Sequence, residues 1–207
     1  MTRRILLASN NPGKIREIQS LLSGLAFEIL PQGLFFKEEA EETGQTFLEN
    51  ALIKARHAAK LSGLPAIADD SGLEVDALNG APGVYSARYA GPNANDDENN
   101  AKLLKEMENI DEDRRTARFR CSMVYVRHAE DENPLIAEAA WEGRILYELI
   151  GTNGFGYDPL FYVPSHACAS AELPPDVKNH LSHRGQALRT LILKLISLEA
   201  ENASVEL

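Results

Sequence analysis

Pro65 to Gly91 reads P-A-I-A-D-D-S-G-L-E-V-D-A-L-N-G-A-P-G-V-Y-S-A-R-Y-A-G, and the fold turns on this stretch. The apolar run Ala66 to Ala68 predicts a buried strand, and two adjacent carboxylates, Asp69 and Asp70, stand where that run stops, followed by Ser71 and Gly72. In an open α/β sheet, ligands bind at the carboxyl ends of strands, so metal-holding or proton-accepting carboxylates are expected there. A solvated Asp-Ser-Gly turn is the plainer reading, because these residues favour turns for local backbone reasons. Gly80, Pro82, Gly83 and Gly91 follow, with Tyr85, Ser86, Arg88 and Tyr89 among them. Such a loop is too rich in Gly and Pro for a regular helix and is expected to bring polar side chains near the carboxylates.

The 207 residues are 44% hydrophobic and 25% charged, an ordinary globular balance with enough apolar material for a sizeable core. One domain over residues 1–196, or two lobes sharing a sheet, is expected, with a polar tail over 197–207 that frays. No apolar run approaches the roughly 20 residues of a membrane span. Met1-Thr2-Arg3-Arg4 leads into a run too short for a signal peptide core, so a cytoplasmic protein without membrane contact is expected. Cys121 and Cys168 form no C-x-x-C pair, which argues against a disulfide framework and a thiolate metal site. A net charge of -10 opposes tracking along a nucleic acid backbone, which needs many Lys and Arg contacts. An anionic ligand must instead meet a few placed cations and a divalent metal.

Ile5 to Ala8 predicts a buried strand, Ser9-Asn10-Asn11-Pro12-Gly13 a turn, and Lys14 to Leu22 a helix carrying Ile15 and Ile18 and stopping at Gly24. Strand, polar turn and helix outline an anion site: backbone N–H groups and the helix N-terminus would face a phosphate, with Lys14 adding a full charge. It is not a Walker A loop, since Ala8 occupies the first glycine position and Ile15 replaces the metal-binding Ser or Thr. An ordinary strand-to-helix turn with a surface lysine is the competing reading.

Phe27 to Leu30 predicts a second strand, and Glu38, Glu39, Glu41 and Glu42 cluster on the loop that follows. Thr46 with Glu49 forms a capping box for a helix carrying Leu48, Ala51, Leu52, Ala55 and Ala59, ended by Gly63 and Pro65. That connectivity allows Glu42 to meet Asp70. Asn95 starts a further helix that reads as structural. Ala117 to Val126 and Leu135 to Trp141 predict a hairpin distant from the chemistry.

Gly151 to Pro159 is a Gly-rich loop holding Phe155 and Tyr157, followed by a strand rather than the helix of a dinucleotide fingerprint. Its aromatics either stack on a base or plug the space under the loop. Pro174 to His180 predicts a helical turn with Lys178, and Ser182 caps a last helix with His183 and Arg184 at its start. Cations are slightly disfavoured there, which hints at an anionic or carbonyl-bearing partner. No zinc spacing accompanies His180 and His183.

Six motifs carry a family resemblance: L-A-S-N-N-P-G-K (Leu7 to Lys14), E-E-T-G-Q-T-F (Glu41 to Phe47), A-D-D-S-G-L-E-V-D-A-L (Ala68 to Leu78), P-G-V-Y-S-A-R-Y-A-G (Pro82 to Gly91), G-F-G-Y-D-P-L-F (Gly154 to Phe161) and S-H-R-G-Q-A-L (Ser182 to Leu188). In this order they resemble the Ham1-type inosine/xanthosine triphosphate pyrophosphatases, from Ile5 to about Leu195. The resemblance implies an elongated α/β fold with a long mixed sheet, flanking helices and two lobes enclosing a central nucleotide cleft, commonly as a homodimer. It implies hydrolysis of ITP, dITP and XTP to the monophosphate and pyrophosphate, which keeps them out of DNA and RNA, with Mg²⁺ as cofactor.

Carried over by motif, Ser9, Asn10, Asn11, Pro12, Gly13 and Lys14 would contact the phosphates. Glu42 and Asp70 would hold Mg²⁺, with Asp70 accepting the proton of the attacking water and Lys14 sharing in catalysis. Ser71, Phe155, Gly156, Tyr157, Asp158, Lys178, His183 and Arg184 would bind nucleotide and base, and Asp69 would support the site from behind. The family often has Gly where Asn10 stands, which affects turn geometry more than chemistry. Two alternatives stand beside this reading: a Maf-like nucleotide pyrophosphatase with another base preference, and a nucleotide-sensing module that does not hydrolyse.

Overall fold

The computed structural model describes residues 3–22 and 27–205. The predicted helix stop at Gly24 lies outside the described residues. Among them, seven strands form one mixed sheet: β1 (Arg3–Leu7), β2 (Phe27–Pro31), β3 (Ala66–Val75), β4 (Thr116–Val126), β5 (Leu135–Ile145), β6 (Phe161–Val163) and β7 (Cys168–Ala169), in the order β2-β1-β3-β4-β5-β6-β7. β1 runs parallel to both β2 and β3, whereas β6 is antiparallel to β5 and β7. Five α-helices among the described residues accompany it: α1 (Pro12–Leu22), α2 (Phe47–Ser62), α3 (Asp96–Glu106), α4 (Pro175–Leu181) and α5 (His183–Val205). The mixed α/β class expected from the sequence is the one observed.

The chain divides into two compact units, Met1–Asp70 with Cys121–Ala139 and Arg184–Leu207, and Ser71–Arg120 with Ala140–His183. In the first, strand alternation sorts the core into two layers. Ile5, Leu7, Ile67, Cys121, Met123 and Tyr125 pack with Ile18 of α1 and Ala187, Leu188 and Leu191 of α5. Leu6, Ala8, Ala66, Ala68, Val124 and Val126 meet Ala51, Ala55 and Ala58 of α2. Small residues on α2 let that helix lie close to the strands. In the second unit Leu73, Val75, Phe119, Trp141, Leu160 and Phe161 form one core with Leu103 and Met107 of α3.

Local signals fixed several boundaries. Thr46 and Glu49 exchange both capping-box hydrogen bonds, and Asn95 and Glu98 do the same at α3. Pro12 opens α1 two residues earlier than predicted, at a position where its missing N–H costs nothing. One expectation fails: β3 does not stop at Ala68 but runs to Val75, so Asp69 and Asp70 lie inside a strand. α5 spans His183–Val205 and so includes the first residues of the polar tail.

Cys121 and Cys168 are both free thiols. Burial pushes the Cys121 thiol up to about 12, which keeps it from acting as a nucleophile.

Candidate active site

β1 ends at Leu7, and the register Leu6↔Ala66, Leu7↔Ile67 leaves Asp69 and Asp70 on β3 beyond the end of their neighbour. The carboxyl end that matters is therefore that of β1. Because side chains alternate along a strand, the two carboxylates take opposite faces. Asp69 follows Ile67 to the α1 and α5 side, where its Oδ2 lies 3.0 Å from Lys14 Nζ and 3.2 Å from Arg184 Nε. Asp70 follows Ala68 to the α2 side, where its Oδ1 lies 2.7 Å from Lys54 Nζ and its Oδ2 accepts from Asn50 Nδ2 at 3.3 Å. Lys54 Nζ also reaches Glu42 Oε1 at 3.1 Å.

The electrostatics differ accordingly. Burial pushes the Asp69 carboxyl up, but the charges of Lys14, Arg184 and Lys54 outweigh it and hold the group well below the usual carboxylate range. For Asp70 burial prevails over Lys54 and Lys14, with Glu42 adding to it, so its affinity for a proton is raised. Burial would lower the Lys54 ammonium, yet Asp70, Asp69 and Glu42 together raise it. The two neighbouring carboxyls are thus shifted in opposite directions, Asp69 down by its cations and Asp70 up by burial.

At the start of α1, Asn11 Oδ1 accepts from the N–H groups of Gly13 at 2.8 Å and Lys14 at 3.1 Å, and Ser9 Oγ accepts from Asn11 N–H at 3.2 Å. Asn10 Nδ2 donates to Glu39 Oε1 at 3.1 Å. The N–H groups of Gly13 and Lys14, expected to face a phosphate, are thus capped by Asn11, and an anion at those two groups must take over that side chain's place.

In the second unit the two loop aromatics differ in burial. Tyr157 is buried, with its hydroxyl donating to the Ser86 carbonyl at 2.8 Å, and it plugs the loop. Phe155 is only half-buried, and Lys178 Nζ stands 5.0 Å from its ring centre. Asp158 is buried and organises the loop: its Oδ2 accepts from Phe155 N–H at 2.9 Å and from Lys178 Nζ at 2.7 Å, and its Oδ1 accepts from Ser170 Oγ at 2.8 Å. A side chain at Gly154 would collide with that carboxylate. His183 is buried and stacks on Phe119, ring centres 4.9 Å apart at 11°. β4 is therefore not distant from the candidate residues, as the hairpin reading had it. Ser71 is the half-buried residue that follows Asp70 on β3. Ser86 accepts from Leu73 N–H at 2.9 Å, and Tyr89 engages Glu106 and Lys102, so these polar loop residues serve the loop's own architecture.

Among the described residues no group of three or more His, Cys, Asp or Glu side chains could hold a metal ion. Glu42 and Asp70 make a two-carboxylate set already turned toward one cation, Lys54. Hard oxygen donors of this kind suit Mg²⁺, which fills the rest of its shell with water and substrate phosphate.

The model of the Ham1 family matches residues 5–194. The chain belongs to the Ham1 family. It is 61% identical to a dITP/XTP pyrophosphatase of Methylococcus capsulatus over 96% of its own length and 98% of that protein, and 58% identical to one of Vibrio parahaemolyticus over 96% and 100%. Its structure is similar to that of a HAM1 protein from Coxiella burnetii, with a TM-score of 0.88 at 53% identity, covering 94% of this chain and 99% of that one. The Ham1 protein of Staphylococcus aureus gives a TM-score of 0.83 at 40% identity over 94% and 99%.

For this Ham1 chain, sequence reasoning missed Lys54, Asn50 and Phe119. Asn50 and Lys54 stand four apart on a helix whose other face is alanine, a signal that both share the polar side. Asn50 is fully buried and also accepts from Gly44 N–H at 2.8 Å. Phe119 had no local signal, because only tertiary packing brings it to His183.

Proposed function

We propose that the chain hydrolyses non-standard purine nucleoside triphosphates, ITP, dITP and XTP, to the monophosphate and pyrophosphate, so removing them from the pools that feed DNA and RNA synthesis. The observation that carries this reading is the divergence of Asp69 and Asp70, each with its own cations. Pure phosphate binding gives no reason to bury two carboxylates, whereas hydrolysis needs a base and a counter-anion that fixes the cations. The names of the relatives point the same way.

Within this reading Asp70 accepts the proton of the attacking water, a task suited to a carboxyl whose proton affinity burial raises. Lys54 holds the Asp70 carboxylate in place through its 2.7 Å contact. Lys14 offsets the charge that grows on the departing pyrophosphate, with Ser9 to Gly13 shaping the turn around the phosphates. Asp69 keeps Lys14 and Arg184 oriented. Glu42 and Asp70 would hold Mg²⁺, which when bound supplies positive charge to the phosphates and acidity to the water. Phe155 stacks on the base; Lys178 and Asp158 hold that loop; His183 and Arg184 meet the base edge; Ser71 contacts the nucleotide.

No helix among the described residues is long and apolar enough to cross a membrane. A homodimer in the cytoplasm, contacting neither membrane nor nucleic acid, completes the proposal. A panel of nucleoside triphosphates with Mg²⁺, scored for pyrophosphate against orthophosphate, tests it. Pyrophosphate from ITP and XTP with little from ATP supports the reading; preference for another base favours a Maf-like activity, and binding without release favours a sensor.

A further inference from the structure

From its sequence, α3 reads as a structural helix. Its first turns nevertheless grip the backbone of the loop that carries Phe155. Asp96 Oδ2 accepts the Gly156 N–H at 2.7 Å, and Asn100 Nδ2 donates to the Gly156 carbonyl at 2.9 Å. Residues four apart on a helix share a face, so both hydrogen-bonding groups of one residue are held by side chains one turn apart.

Two features separate this grip from incidental packing. Phe155 sits between Gly154 at φ 82 and Gly156 at φ 61, both left-handed, so no strand or helix ladder sets its height. Its own N–H goes to Asp158, and the residue after it is fixed by α3 alone among the hydrogen bonds described above. Asn100, moreover, is 3% exposed, and its Oδ1 is buried without a hydrogen-bond partner among the described residues. An unsatisfied buried acceptor is unfavourable, so an apolar residue would pack there at lower cost. What the amide offers in return is the bond to Gly156. Asp96 is not needed to start the helix either, since Asn95 and Glu98 already complete the capping box.

We propose that Asp96 and Asn100 are positioning residues for base recognition, holding Gly156 so that the Phe155 ring is presented to the purine. This rests on the assignment of Phe155 as the stacking residue. A loop held in this way removes an ordering cost that binding would otherwise incur.

The test is a double-mutant cycle read by calorimetric binding of inosine monophosphate and by steady-state kinetics on ITP. Asp96→Ala should weaken inosine monophosphate binding and raise KM about fivefold, the lower end of what one base–aromatic stack contributes, with kcat within about twofold. Asp96→Asn keeps the acceptor but removes the same charge from the helix N-terminus, so it should bind like wild type. Asn100→Asp replaces the donor with a repelling oxygen and should match Asp96→Ala. In a Phe155→Ala background, Asp96→Ala should add nothing. If Phe155→Ala weakens binding but Asp96→Ala does not, or weakens it as much without the ring, the inference is overturned while stacking stands. If Phe155→Ala leaves binding unchanged, the stacking assignment falls and this inference falls with it. Asp96 is exposed, so its variants test the grip even where Asn100→Asp does not fold.

Discussion

Lys54 Nζ lies 2.7 Å from Asp70 Oδ1, the shorter of its two carboxylate contacts described above, and both side chains are largely buried. A lysine that bridges two carboxylates holds positive charge at the place where the donor set would receive a divalent cation. Asp70→Asn should abolish turnover while leaving nucleotide binding measurable, because the base is lost but Lys14 and the base loop stay. Retention of more than about a tenth of wild-type kcat contradicts the role, since losing a general base costs about 10²-fold or more.

Removing the cation itself gives a separate prediction. Lys54→Met leaves Glu42 and Asp70 without the ammonium between them and should cost about 3 kcal/mol of stability in chelator. Mg²⁺ should then raise the unfolding temperature of the variant more than that of wild type, as measured by calorimetry. Equal shifts would place the metal elsewhere.

Lys14→Ala should weaken binding and slow the chemistry, with losses that grow with phosphate number because the charge it meets grows likewise. Comparing mono-, di- and triphosphate affinities reads this directly. Equal losses across the three would place Lys14 away from the phosphates and leave it only as a partner of Asp69.

Arg184 offers only donors, and the 6-keto oxygen of hypoxanthine or xanthine accepts, whereas adenine presents an amino group there. Rejection through a missing hydrogen bond reaches about 10⁴-fold. Arg184→Ala should therefore lower kcat/KM for ITP steeply, change ATP hydrolysis little and narrow their ratio, while Phe155→Ala lowers both in proportion. An unchanged ratio would reduce Arg184 to its ion pair with Asp69.

Asp131 tests stability away from the chemistry. Its buried carboxylate accepts from Arg127 Nε at 2.9 Å, Arg127 Nη2 at 2.5 Å and the N–H groups of Arg127 and Asn133, closing the turn between β4 and β5. The hydrogen bond from Arg127 leads the effects that hold its carboxyl below the ordinary 3.8. A depressed folded pKa contributes stability that is complete above the unfolded value and drains as pH falls through it toward the folded one. Asp131→Asn should thus unfold at a lower temperature than wild type at pH 7, with a gap that shrinks below about pH 4. A gap constant between pH 7 and pH 3 would assign the loss to packing.

Much of the chain was legible from local chemistry. Thr46 with Glu49 and Asn95 with Glu98 announce their helices because capping is satisfied within four residues. Asp69, Asp70 and Lys14 were found as candidates because they stand where an apolar run gives way to a polar turn, and Glu42 because the helix after it leads back to the Asp69-Asp70 strand. The sequence by itself thus determined the α/β class, the elements and the charged inventory. Which cation serves which carboxylate was decided only by tertiary structure. Asp69 and Asp70 are neighbours in the chain, yet strand alternation sends one to Lys14 and Arg184 and the other to Lys54. That division required β3 to continue past Ala68, and two charges inside a strand become tolerable only when helices from three distant segments bring partners to both faces. Phe119 beneath His183, and α3 beneath Gly156, are decided in the same way, since packing across more than fifty residues leaves no periodicity to read.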